Sequence, residues 1–309
     1  SEHDLYIPEM IFGYMRTGSN YNEDKARVGG GMNGLGATCV NVYSSKFTVE
    51  TVDSDQQKKF VQTFSNNLSE RTVPKVTGCK TKSYTKISWI PDYSRFKMKG
   101  LSGKKEDDTY SLLLKRVVDS IVSTPARVKM YFNGTLIKGK SLKDYTKYYF
   151  DDEAVSSSSK GDSGLGDVDD TASVATSSSS TLGFKRRVFY DTKTFEYTHN
   201  NNKKVDLVWE IAIVEHDSYE QVSFVNGLCT TQGGTHVKYI SDRLVAQLKE
   251  LIEPKLKHKE TFKPALVREK LFVFVRSSII NPRFNSQTKE YLTTPVKDFY
   301  ANYTIDETF

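Results

Sequence analysis

Cysteine is scarce in this chain: only Cys39, Cys79 and Cys229 occur in 309 residues, and they lie far apart. With no Cys-x-x-Cys pair and no paired spacing, the sequence excludes a disulfide framework and a cysteine zinc site, and the three thiols read as reduced and intracellular. The five histidines, His3, His199, His216, His236 and His258, show no metal-ligand spacing either. No apolar run approaches the roughly 20 residues that cross a bilayer, and no signal peptide is expected. In that setting the sequons at Asn67, Asn133 and Asn302 are chance matches. What remains is a polar chain of mean hydropathy −0.52, with 37% hydrophobic residues, long enough to bury the cores of two domains.

Charge is unevenly spread. The whole chain carries +6, whereas residues 151–170 hold seven acids and one base, a local −6, so the rest stands at +12. A basic body suits a polyanionic partner such as nucleic acid, although ordinary solubilising lysine gives the same balance. Around that acidic stretch, residues 151–183 are rich in serine and glycine and almost free of large apolar side chains. Such a tract cannot bury enough surface to offset its ordering entropy and is expected to be disordered. It divides the chain into an expected domain at 1–150, an insertion at 151–183 and a second domain at 184–309.

Both flanking regions mix helix and strand. Leu112 to Leu114, Val117, Val118, Ile121 and Val122 recur at helical spacing. Strands are expected over Lys46–Val52, Tyr84–Ile90 and Val128–Phe132, the last closed by the hairpin pair Asn133-Gly134. Beyond the tract, Asp206–Val214 and Glu220–Phe224 read as paired strands, Ser241–Ile252 as an amphipathic helix, and Leu271–Val275 as a buried strand. The fold class is α+β.

The densest signal is Gly29-Gly30-Gly31-Met32-Asn33-Gly34-Leu35-Gly36-Ala37-Thr38, five glycines in ten residues. Backbone amides can approach a ligand closely where no Cβ intervenes, and a glycine loop running into a helix favours an anion. Three phosphate-binding architectures compete for it, beside a plain flexible surface loop. A dinucleotide loop requires an apolar strand just before it, but the charged run Tyr21 to Arg27 precedes this one. A Walker A loop requires a lysine that is missing here. The third is the mobile ATP lid shared by gyrase, histidine kinases, chaperone and mismatch-repair ATPases.

Further motifs favour the third. Ile7-Pro8-Glu9-Met10-Ile11-Phe12-Gly13, Gly18-Ser19-Asn20-Tyr21, the glycine loop and Asn41 to Glu50 follow in order. Then come Phe96-Lys97-Met98, Ser223-Phe224-Val225-Asn226-Gly227, Gly233-Gly234-Thr235-His236-Val237 and Asn281-Pro282-Arg283-Phe284-Asn285-Ser286-Gln287-Thr288-Lys289-Glu290. Taken together, this series resembles the N-terminal ATPase and transducer region of eukaryotic-type (type IIA) DNA topoisomerase II, over nearly the whole chain except the serine tract. The resemblance implies part of a GHKL-type ATPase α/β sandwich followed by a ribosomal S5-like transducer. It implies an ATP-dependent enzyme that takes ATP and Mg²⁺, forms a homodimer, and passes one DNA duplex through another, in a nucleus or in the viral factory or cytoplasm of a large virus's host. A non-hydrolysing nucleotide-binding module, or another ATPase of the same fold, is the alternative.

By position, the resemblance places Gly18, Ser19 and Asn20 at ribose and phosphate. It places Gly31, Met32, Asn33, Gly34, Leu35, Gly36, Ala37 and Thr38 around the triphosphate, and Gln287, Thr288 and Lys289 in a loop reaching the γ-phosphate. Lys289 carries a compact cation suited to a terminal phosphate, and Gln287 can donate to a phosphate oxygen. His236 takes a structural role at a helix start. The basic run Lys255, Lys257 and Lys259 is expected to meet DNA phosphates without reading sequence, or simply to be a solvated helix end. The chain departs from the family where Met32 and Thr38 replace an arginine and a lysine, where Gly18 replaces a serine, and in the inserted serine tract. The family's general base lies in a Glu-x-x-x-Asn helix and its adenine-reading aspartate in Asp-x-Gly-x-Gly. Both are expected upstream of Ile7, and the cleavage tyrosine downstream of Phe309, so the chain is expected to be a fragment.

Overall fold

The computed structural model describes residues 4–18, 20, 26–102, 107–150, 188–198, 204–257 and 261–305. The serine tract, Ser19 and Lys259 lie outside these residues. The chain forms two compact units, one of residues 1–25 with 31–102 and the other of residues 26–30 with 103–309.

In the first unit, α1 (Ile7–Gly13) and α2 (Gly36–Val42) accompany an antiparallel sheet of β1 (Ser44–Asp53), β2 (Lys58–Ser65), β3 (Glu70–Arg71), β4 (Lys75–Gly78) and β5 (Tyr84–Pro91), in the order β3-β2-β1-β5 with β4 also on β2. Cross-strand register puts Phe47 opposite Phe64, and Val49 opposite Gln62 and Ile87. Because strand side chains alternate faces, these residues share one face, and Phe47, Val49, Phe60 and Phe64 form the core with Phe12 of α1. A buried polar pair is joined in that core: the Gln62 amide nitrogen donates to Glu9 Oε1 (3.1 Å) and to the Thr72 carbonyl (3.0 Å).

The second unit holds α3 (Asp108–Ser123), a short hairpin β6 (Tyr131–Phe132) and β7 (Thr135–Leu136), α4 (Leu142–Phe150), β8 (Val188–Thr198), β9 (Lys204–Glu215), β10 (Glu220–Val225), β11 (Leu228–Cys229), β12 (Gly233–Gly234), α5 (Thr235–Ile252), α6 (Pro264–Glu269), β13 (Leu271–Ser277) and β14 (Tyr291–Leu292). Its main sheet runs β11-β10-β13-β9-β8, with β10 and β13 parallel and the other pairs antiparallel. Both faces are buried, which is why β13 reads as an unbroken apolar run. Trp209, Ile211, Ile213, Val273 and Val275 pack with Ile240 and Leu244 of α5. The alternate residues Ala212, Val214, Phe272 and Phe274 pack with Val122 of α3 and with Leu142 and Tyr145 of α4.

Two sequence expectations are corrected here. The units divide at residue 102, not at 150: α3 and α4 belong with the second sheet because their apolar faces cover one side of it. Asp206–Val214 and Glu220–Phe224 are both strands, but they do not pair, since β13 is inserted between them. Two further differences are of extent. The Val128–Phe132 strand shrinks to two residues, with Asn133 and Gly134 at φ 47° and 78° as the hairpin turn requires. The helix expected from Ser241 begins at Thr235.

Candidate functional site

In the first unit, two of the expected site segments are laced together. Arg16 N–H donates to the Gly34 carbonyl (3.2 Å), and the Asn20 amide donates to the Gly31 carbonyl (3.0 Å). The approach is too close for side chains at the crossing. Gly34 has φ +57°, and a Cβ there would lie 2.4 Å from the Gly18 nitrogen; a Cβ on Gly18 would lie 3.1 Å from the Met32 carbonyl oxygen. Gly31 and Gly36, by contrast, have nothing within 4 Å of the place a Cβ would take. The loop is therefore pinned at its centre and open at both flanks. It leads into α2, whose first three amides, on Gly36, Ala37 and Thr38, have no intrahelical carbonyl to bond. The stretch Gly31 to Thr38 contains no charged side chain, so what it offers an anion is backbone.

Thr38 is fully buried, and its hydroxyl is taken up by the end of α1, donating to the carbonyls of Ile11 (3.3 Å) and Tyr14 (2.9 Å). Asn41 donates to the Phe12 carbonyl (2.9 Å). Together they satisfy the orphan carbonyls at the end of α1. The Thr38 side chain is thus committed to the end of α1, and its amide is the group left at the loop.

The second unit contains the other expected segment. Gln287 and Thr288 are exposed, and the Thr288 hydroxyl lies 2.8 Å from that of Ser286. Lys289 N–H closes a turn on the Ser286 carbonyl (3.2 Å), and Lys289 itself has φ +60°. Its ammonium donates to the Gly30 carbonyl at 2.6 Å. Burial, and then the neighbouring Arg27 charge, hold the Lys289 pKa below its ordinary value. Residues 26–30 thus sit in the second unit while Gly31 sits in the first. Lys255 and Lys257 are exposed just past the end of α5.

His236 is in the second residue of α5, completely buried, with Nε2 3.3 Å from Thr230 Oγ1, which in turn lies 2.6 Å from Ser223 Oγ. Burial pushes its pKa down to about 3, so it is a neutral structural ring. Among the described residues no cluster of three or more His, Cys, Asp or Glu could hold a metal ion. Two literal matches to the family's upstream motifs escaped the sequence reading. Glu196 to Asn200 spells Glu-x-x-x-Asn, but Glu196 lies on strand β8, where the helical spacing has no meaning. Asp162 to Gly166 spells Asp-x-Gly-x-Gly inside the serine tract, outside the described residues.

Comparison with known proteins decides the family. The family model for DNA gyrase B matches residues 142–309. The chain is 36% identical over 308 residues to DNA topoisomerase 2 of Acanthamoeba polyphaga mimivirus, covering 100% of this chain and 21% of that protein. To DNA topoisomerase 2 of Saccharomyces cerevisiae it is 37% identical over 301 residues, covering 97% of this chain and 19% of that protein. The chain belongs to the DNA topoisomerase II family.

Solved structures agree. The crystal structure of the ATPase region of Saccharomyces cerevisiae topoisomerase II superposes with a TM-score of 0.75 at 34% identity, over 99% of this chain and 67% of that one. The ATPase and transducer domains of DNA topoisomerase II from Balamuthia mandrillaris give a TM-score of 0.74 at 31% identity, over 99% and 66%. The fold is thus part of a GHKL-type ATPase sandwich followed by an S5-like transducer. This topoisomerase II chain spans about a fifth of the length of those curated relatives.

Proposed function

We propose that this topoisomerase II region is the ATP-binding N-gate of a type II DNA topoisomerase, which couples ATP binding to dimer closure and to passage of one DNA duplex through another. The observation that carries the reading is the loop Gly31 to Thr38: pinned on Gly18, glycine at its open flanks, and presenting amides. Amides of this kind hold phosphate oxygens without side-chain charge. Asn20 orders the start of the loop. Lys289 and Gln287 are the groups that read the terminal phosphate. Lys289 now donates to the neutral Gly30 carbonyl, an acceptor that an anionic oxygen outcompetes. ATP would supply the bond whose breaking resets the gate, and Mg²⁺ would offset charge on the nucleotide. Exposed Lys255 and Lys257, with Lys259, contact DNA phosphates, and the protein works where its DNA is, in a nucleus or a viral factory.

The test is DNA strand passage by the full-length protein. Lys289→Ala is expected to abolish ATP-dependent decatenation of linked circles while leaving ATP-independent DNA binding intact. Unchanged decatenation removes Lys289 from the reaction. The second reading is a nucleotide-binding region without turnover of its own. It predicts negligible ATP hydrolysis by residues 1–309 alone, and normal turnover there would exclude it.

A further inference from the structure

In the second unit, β12 and β14 run side by side in parallel, Gly233 against Tyr291 and Gly234 against Leu292. The contact is tight, for a Cβ on Gly234 would come 2.5 Å from the Leu292 carbonyl oxygen. Gln232 extends this pairing by one residue, its N–H donating to the Glu290 carbonyl (2.9 Å). Its side chain holds the same residue, the amide nitrogen donating to Glu290 Oε2 (2.8 Å). Lys289 is the next residue back along the chain, at φ +60°. A left-handed backbone is unfavourable for lysine and persists where its surroundings over-determine it. Lys289 N–H is tied to the Ser286 carbonyl (3.2 Å) on one side, and Gln232 fixes Glu290 on the other. All of these groups belong to the second unit.

We propose that Gln232 is a positioning residue for Lys289: it fixes Glu290 through main chain and side chain together, and so sets the left-handed backbone that carries the ammonium. The proposal rests on the nucleotide reading above and deepens it, by naming what holds the cation in place. Glutamine suits the task for an electrostatic reason. Glu290 puts a carboxylate one residue away from a cation that is to meet an anion. A bond to an ionised acceptor is stronger than one between neutral groups, so an amide donor is enough to hold that carboxylate. Being neutral, the amide adds no second cation to compete with Lys289 for a phosphate oxygen. The backbone bond from Gln232 survives any side-chain change, so substitution there probes the amide alone.

The experiment compares Gln232→Leu, Gln232→Glu and the exchanged pair, Gln232→Glu with Glu290→Gln, in the full-length protein. Titration calorimetry reads binding of ADP and of a non-hydrolysable ATP analogue, each with Mg²⁺, and hydrogen exchange reads the amides around Lys289. Gln232→Leu removes the donor, and Gln232→Glu sets two carboxylates against each other. Both are expected to weaken the ATP analogue about fivefold to tenfold, the scale of one lost bond to a charged acceptor. Both should leave ADP within about twofold and speed exchange at Lys289. The exchanged pair rebuilds the bond with donor and acceptor reversed, and is expected to return the analogue to within about threefold of wild type. Equal losses for both nucleotides, or an exchanged pair no better than Gln232→Glu, overturn the role of Gln232. If Lys289→Ala leaves the analogue unaffected while exchange at Lys289 still follows the pair, the nucleotide reading of Lys289 falls and its positioning by Gln232 stands.

Discussion

Lowering the pH tests the structural role of His236 quantitatively. The ring is completely buried, its pKa held at about 3 by desolvation against an ordinary 6.5, and its place at the start of α5 adds the unfavourable field of a helix N-terminus for an imidazolium. A depressed pKa means that between about 6.5 and 3 the unfolded chain binds a proton that the folded chain refuses. Its stabilising contribution is therefore complete above 6.5 and is lost progressively as pH falls. Each pH unit below the unfolded pKa costs about 1.4 kcal/mol, so from pH 7 to pH 5 this single group removes about 2 kcal/mol. At pH 5 the loss is set by the unfolded pKa alone, because the folded value lies well below. The assay is the urea unfolding midpoint of the chain at pH 7, 6 and 5, for wild type and for His236→Gln. Glutamine can bond Thr230 and does not titrate. Asp and Glu titrate equally in both proteins, so the difference isolates the histidine. The wild type is expected to lose about 2 kcal/mol more than the variant over that range. Parallel curves would mean that the ring is already protonated or hydrated when folded, and the buried neutral assignment would fail.

Two substitutions in the first unit separate backbone from side-chain roles at the loop. Gly34→Ala forces a Cβ into the left-handed region, a penalty of about 1–2 kcal/mol, and drives it onto the Gly18 nitrogen. Backbone cannot rotate aside as a side chain can, so the lacing must open. Binding of the ATP analogue should drop more than about tenfold, and wild-type affinity in the alanine variant would refute the crossing as drawn. Thr38→Val removes two bonds to the carbonyls of α1 and should cost about 1–3 kcal/mol in thermal unfolding with nucleotide affinity unchanged. A loss of affinity at full stability would return the hydroxyl to the phosphate.

Much of this was legible in the sequence, and the failures share a cause. The apolar run Leu271 to Val275 announces a strand buried on both faces, and the Asn133-Gly134 pair announces its hairpin, because both signals are local. Which elements meet is not local. The helical period of α3 shows an apolar stripe but not the sheet it covers, so the boundary was drawn at the change of composition and not where packing divides the chain. Thr38 sits in a phosphate-loop pattern, yet its hydroxyl is claimed by carbonyls more than twenty residues earlier. The glycine run is the sharpest case. Its residues have no side chains to declare an allegiance, and as sequence it is one loop. As structure it splits between Gly30 and Gly31. The first part is assigned by what presses on it: Leu228 against Gly30, Asn281 on Arg27, Lys289 on the Gly30 carbonyl. Those three partners lie about two hundred residues or more downstream. A glycine-rich run is thus silent in sequence about what holds it. The residue that fastens Gly30 is Lys289, whose ammonium donates to its carbonyl.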